Sequence, residues 1–127
     1  MTTDNKTIVV DALSGVVKTG NVDALASALH DDFIHHRPDG TSTTKTEWLA
    51  AVTAVPLRDL DVEILHILGE SDTVAVYSHR RLGTGGPTIA VVEIWRFERG
   101  LITEGWEIIE PVDEAGAHAL WWRAAAH

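Results

Sequence analysis

Apolar positions along the chain change their spacing near residue 56. Before it they recur at helical intervals. Ile8, Val9, Ala12, Leu13, Val16 and Val17 predict a helix over 4–19, with Gly20 as its stop. Asn21 caps a second short helix whose stripe is Val22, Leu25, Ala26 and Leu29, closed by His30, Asp31 and Asp32. Residues 33–37 read as a short extended piece, and Pro38-Asp39-Gly40 as a turn. Thr44 and Glu47 have capping-box spacing, which predicts a third helix over 46–55 carrying Trp48, Leu49 and Val52 and ended by Pro56.

After residue 56 the pattern alternates and is rich in β-branched residues. Four strands are predicted over 59–69, 73–82, 88–98 and 101–110, joined by connections short enough to make neighbours antiparallel. Helices followed by a meander give an α+β class: an antiparallel sheet packed on N-terminal helices. The tail from 113 predicts a last helix with Ala117, Leu120, Trp121 and Ala124 on one face. No repeat or low-complexity linker divides the chain, so a single domain is expected.

Strand parity assigns faces. Ile89, Val91, Glu93, Trp95 and Phe97 share one, bulky and apolar around a single carboxylate, as a pocket wall would be. On the next strand Leu101, Thr103, Gly105, Glu107 and Ile109 share a face, and Ile102, Glu104, Trp106, Ile108 and Glu110 the other. The Arg99-Gly100 turn should bring Glu107 near Glu93. Ala75, Tyr77, His79 and Arg81 share a face that also suits a cavity wall. Large apolar groups on the outer face (Val92, Ile94, Trp106, Ile108) point to a homodimer through the sheet.

The formal charge of the 127-residue chain is -9, with Lys and Arg scattered. No basic stripe could track a row of phosphates, and an acidic surface repels anionic membranes, so neither nucleic acid nor membrane is an expected partner. A small apolar organic ligand is. There is no cysteine, which excludes disulfides and thiolate chemistry. No bilayer-spanning run and no secretory pattern is present, so the cytoplasm is the expected compartment. Gly83-Thr84-Gly85-Gly86 lacks the Lys-Ser/Thr and following helix of a phosphate-binding loop.

The stretch from Ala90 to Glu107, with Glu93-Ile94-Trp95-Arg96-Phe97, a Gly100 turn and Glu104-Gly105-Trp106-Glu107, resembles the closing hairpin of SnoaL-like proteins of the nuclear transport factor 2-like superfamily. Phe33-Ile34-His35-His36-Arg37-Pro38 is similar to that family's aromatic-Ile-Gln-His-Asn-Pro segment, and 69–79, ending Tyr77-Ser78-His79, to its Gly-Asp-hydrophobic-His-Ser-His strand. The resemblance implies a cone-shaped α+β barrel of cystatin-like type, often dimeric, hosting cyclases, isomerases and dehydratases (lyases) as well as non-catalytic binding domains. It places His36 and His79 at family histidines, and Glu93 and Glu107 at the two acidic positions. Gly105 stands where the hairpin His is usual, and both acids are Glu where Asp is commoner.

Two carboxylates in an apolar pocket push their titrations apart, so one can serve as base and one as acid. Glu107 and Glu93, with the family-position histidines His79 and His36 to orient a carboxylate or shuttle a proton, are the candidate catalytic residues. The plainer alternative pairs the acids with Arg96 or Arg81 at the rim and ties the histidines to backbone. Tyr77, Trp95, Phe97, His66, Trp48, Phe33 and Gly105 are candidate ligand-binding residues, Tyr77 as a phenol donor to an oxyanion. His35, adjacent to His36, is expected at the surface. His66 shares a face with Val62, Ile64 and Leu68. No close-spaced ligand motif supports a metal, and no cofactor is expected. The expected function is a cofactor-free acid/base enzyme acting on an apolar carbonyl compound; a ligand-binding or dimerisation domain of the same fold is the alternative.

Overall fold

The computed structural model describes residues 4–83, 85–114, 116 and 123; the expected C-terminal helix lies outside them. Three helices precede the long strands, as the spacing predicts. Helix α1 (Asn5–Thr19) is capped by Asp4 and ends at Gly20, whose φ of 72° closes the left-handed C-cap. It buries Val9, Ala12 and Val16. Helix α2 (Asp23–Ala28) buries Leu25, and Asn21 accepts a hydrogen bond from the Asp23 backbone N–H. Helix α3 (Lys45–Thr53) has the predicted capping box between Thr44 and Glu47 and buries Trp48.

The strands are β1 (Leu29–His36), β2 (Ser42–Thr44), β3 (Leu60–Glu70), β4 (Thr73–Leu82), β5 (Thr88–Glu98) and β6 (Leu101–Pro111). They form one curved, unclosed sheet in the order β2-β1-β6-β5-β4-β3. The meander is antiparallel as expected, but β1 adds to β6 in parallel. The helices cover the inner face, where Phe33, Val74, Val76, Trp95, Phe97 and Ile102 form the core with α1, α2 and Trp48.

Two bulges within the meander correct the simple parity, and β1 has a further irregularity against β6 between Leu29 and Ile34. In β6, Phe97 pairs with Ile102 and Arg96 with Glu104, so Thr103 is the extra residue. Ile102 therefore turns inward and is buried, although strict alternation groups it with Trp106. Beyond the bulge, Gly105 and Glu107 face inward as expected, opposite Trp95 and Glu93. In β3 the irregularity falls at Leu65, between Ile64 and His66. It puts His66 on the outer face opposite Tyr77, exposed, and gives its inner place to Ile67.

Candidate active site

Between α3, the turn after it and the inner ends of β3–β6 lies a cavity of about 320 Å³. Trp48, Val52, Leu57, Leu60 and Ile89 make its walls apolar, and Glu93, Glu107 and Arg80 bring charge to it. The capping box fixes α3 so that Trp48 reaches this wall. Glu93 and Glu107 are directly paired across β5 and β6. Glu93 is 3% exposed. Burial pushes its carboxyl above the ordinary carboxylate range; the Arg80 guanidinium opposes this and the nearby Glu107 adds to it. Arg80 forms an ion pair with Glu93 and is steadied by a hydrogen bond from its Nε to Ser78 Oγ of 3.2 Å. The ion pair alone argues for a charged Glu93. Removing a carboxylate from water opposes that more strongly here, so the upward direction holds.

Glu107 is less enclosed, with 22% of its side chain exposed. Behind it stands His35, 1% exposed, its Nε2 3.2 Å from Glu107 Oε2. The distance suits a hydrogen bond, but the orientation does not complete one. His35 stacks on Trp48 with ring centroids 5.0 Å apart and planes 23° apart.

The expected site residues divide accordingly. Glu93, Glu107 and Trp48 meet at the cavity. Phe33, Trp95 and Phe97 are buried core beneath it rather than its lining. Gly105 is roofed by Trp95: a Cβ there would lie 2.5 Å from the indole. The space is filled, so the missing hairpin imidazole does not widen the cavity.

His79, Tyr77 and His36 are corrections. Val74, Val76 and Ser78 are the inward residues of β4, so Tyr77 and His79 project from the outer face, where the Tyr77 hydroxyl meets His79 Nε2 at 3.3 Å. His36 also faces outward. Its Nε2 is 2.8 Å from Glu104 Oε2, and its ring stacks on Trp106. Arg96 holds the other oxygen of Glu104, and these two partners keep that carboxyl below the usual range.

His35, expected at the surface, takes the inward place instead. The signal was present in the sequence, since residues two apart on a strand share a face and Phe33 is plainly core. Arg80 reaches the cavity because β4 turns its Val74–Val76–Ser78 side inward, the face opposite to the one its aromatic and polar residues suggest. Among the described residues no cluster of three or more potential ligands could hold a metal ion.

The model of the SnoaL-like domain matches residues 10–105. No curated protein matches the chain at a significant level. Among solved structures, IdmH of Streptomyces antibioticus, a candidate polyketide cyclase, superposes with a TM-score of 0.70 at 18% identity over 84% of this chain and 93% of its own. AclR of Streptomyces galilaeus, a candidate hydroxylase, gives 0.70 at 20% identity over 83% and 87%. A candidate ketosteroid isomerase of Kribbella flavida DSM 17836 gives 0.73 at 15% over 84% and 78%. At such identities these structures establish the fold and no activity. With the fold agreeing and most of its length matched, the chain belongs to the SnoaL-like domain family.

Proposed function

We propose that this protein is a cofactor-free acid/base enzyme that moves a proton next to the carbonyl of a small apolar compound. The observation that carries this reading is the direct pairing of Glu93 and Glu107 at one apolar-walled cavity. Glu107, the more accessible acid, takes the proton from carbon. Arg80 and the Glu93 carboxyl, whose protonated form burial favours, donate to the oxygen that gains charge. The same step underlies isomerisation, aldol cyclisation and dehydration. At about 320 Å³ the cavity is at the lower end of small-molecule sites, roughly 300–1,000 Å³, which suits a compact one- or two-ring ligand.

The test is α-proton exchange of β-tetralone in deuterated buffer, followed by NMR. The wild type is expected to accelerate it and Glu107→Gln to lose the acceleration with the fold intact. An unaffected variant removes Glu107 from the proposal. Saturable binding of β-naphthol, an enol mimic, without any exchange favours the non-catalytic binding domain instead.

A second copy is the proposed partner of the outer face, because Ile108 is 57% exposed beside Trp106 and Ile94, and Leu68, on the same face across β4, is 70% exposed. Sedimentation of Ile108→Lys tests it. A dimer that becomes monomeric fits, and an unchanged oligomeric state opposes it.

A further inference from the structure

The His35 imidazole is one of the most deeply buried polar side chains of the fold, and proton transfer by Glu107 does not by itself require it. Neither of its ring nitrogens has a hydrogen-bond partner among the described residues. Leaving such groups unpaired in a core costs roughly 1–3 kcal/mol, so pure packing is a poor reason for a histidine here. Phe33, two residues earlier on the same face, shows what packing alone selects.

Its location is set by the sheet. His35 is the register partner of Gly105 in the parallel β1–β6 pair. Trp95 covers Gly105 from the other side, and His35 Cδ2 lies 3.4 Å from where a Cβ on Gly105 would stand. A side chain at 105 would therefore clash with the Trp95 ring and come into ordinary contact with His35. Trp48 stacks on the imidazole and limits its rotation. Among the described residues, the polar group at hydrogen-bond distance from a ring nitrogen is Glu107, 3.2 Å from Nε2 to Oε2. The separation is within hydrogen-bond range, and contacts of this kind commonly tighten when a site fills.

We propose that His35 is the positioning residue of Glu107: its Nε2–H donates to Oε2 and leaves the other carboxylate oxygen turned to the cavity as the base. This rests on the proton-transfer reading above. In the step, the C–H bond beside the carbonyl breaks and its proton joins the free oxygen of Glu107. The electron pair shifts to make the enolate, with charge on oxygen. Glu107 then returns the proton to a carbon of the enolate. His35 keeps its own proton throughout, so it is not an acid or base in the cycle.

The experiment has two arms. Long-range proton–nitrogen NMR of the whole protein identifies the neutral tautomer of His35. A proton on Nε2 in the wild type, with that signal displaced in Glu107→Gln, is expected. A proton on Nδ1, or an identical signal in the variant, overturns the proposal. This arm needs no turnover, so it decides the His35–Glu107 contact even if β-tetralone exchange is absent and the proton-transfer reading falls.

In the second arm, His35→Phe is expected to lower kcat for β-tetralone exchange by about 10- to 100-fold with KM within about twofold. His35→Gln, whose amide nitrogen can also donate, should recover most of that loss. Equal kcat in wild type and His35→Phe, or equal loss in both variants, overturns it. Should His35→Phe fail to fold, the tautomer and His35→Gln decide.

Discussion

Two adjacent histidines of β1 meet two glutamates of β6 on opposite faces of one sheet, and the pairs are built differently. Outside, His36 and Glu104 touch at 2.8 Å, Arg96 completes the carboxylate's partners, and water reaches the group. Inside, His35 and Glu107 stand 3.2 Å apart without a completed bond, beside a second carboxylate on Glu93. The outer pair is satisfied and should contribute modestly to stability. The inner pair leaves bonding capacity unused in a sheltered place, the condition under which a carboxylate can act on something else. Identical residue types thus serve support on one face and candidate chemistry on the other.

The largest expected effect separates the two glutamates by activity. Glu107→Gln should lower β-tetralone exchange by about 10²–10⁴-fold, while Glu104→Gln changes it less than about twofold. If both variants lose exchange equally, the distinction between faces fails. Next is Gly105→Ala, whose methyl would lie 2.5 Å from the Trp95 ring. Overpacking of this kind costs about 1–3 kcal/mol, which urea unfolding would register. A neutral result would mean that Trp95 yields easily and that the inner wall is softer than its packing indicates.

Acidity offers a finer separation, because the two faces carry opposite signs. Glu104 has a lowered folded-state value, so its contribution is present above the ordinary carboxylate value of 4.5 and is lost as pH falls through the folded value. The melting-temperature advantage of wild type over Glu104→Gln should shrink on acidification. Glu93 has a raised value, so the folded state binds its proton more tightly than the unfolded chain does. Wild type should therefore lose ground to Glu93→Gln as pH climbs from about 4.5 through the folded value. Parallel slopes for the two variants would erase the contrast. The smallest effect is expected from Tyr77→Phe, which removes the hydroxyl facing His79 on the outer face. Exchange should stay within about twofold of wild type; a large loss would return Tyr77 to the site.

Most of the architecture was legible because it follows from spacing. The four long strands begin and end within a residue or so of where alternation and turn chemistry put them. The Thr44–Glu47 cap and the Arg99-Gly100 turn are local devices that need no tertiary information. The acids at 93 and 107 were legible for the same reason, since an even separation from Trp95 and Gly105 keeps them on one face. What escaped was non-local. Bulges at Leu65 and Thr103 leave no clear mark on composition, yet each reverses a face, moving His66 out and Ile102 in. The addition of β1 beside β6 joins segments some seventy positions apart. For His35 and His36, a motif likeness outweighed the simpler argument from Phe33; for Tyr77 and His79, aromatic and polar character outweighed the valines at 74 and 76. In each case the apolar neighbour two residues away was the better guide.

The extra residue at Thr103 also bears on how the strand tolerates a change of length. Ile102 and Gly105 both face inward although three positions separate them, and Thr103 absorbs the odd step. Deleting Thr103 alone would restore plain alternation, with Ile102, Gly105 and Glu107 still turned to the helices and Trp106 and Ile108 to the outer face. The wall that carries Glu107 can thus lose this one residue without turning inside out.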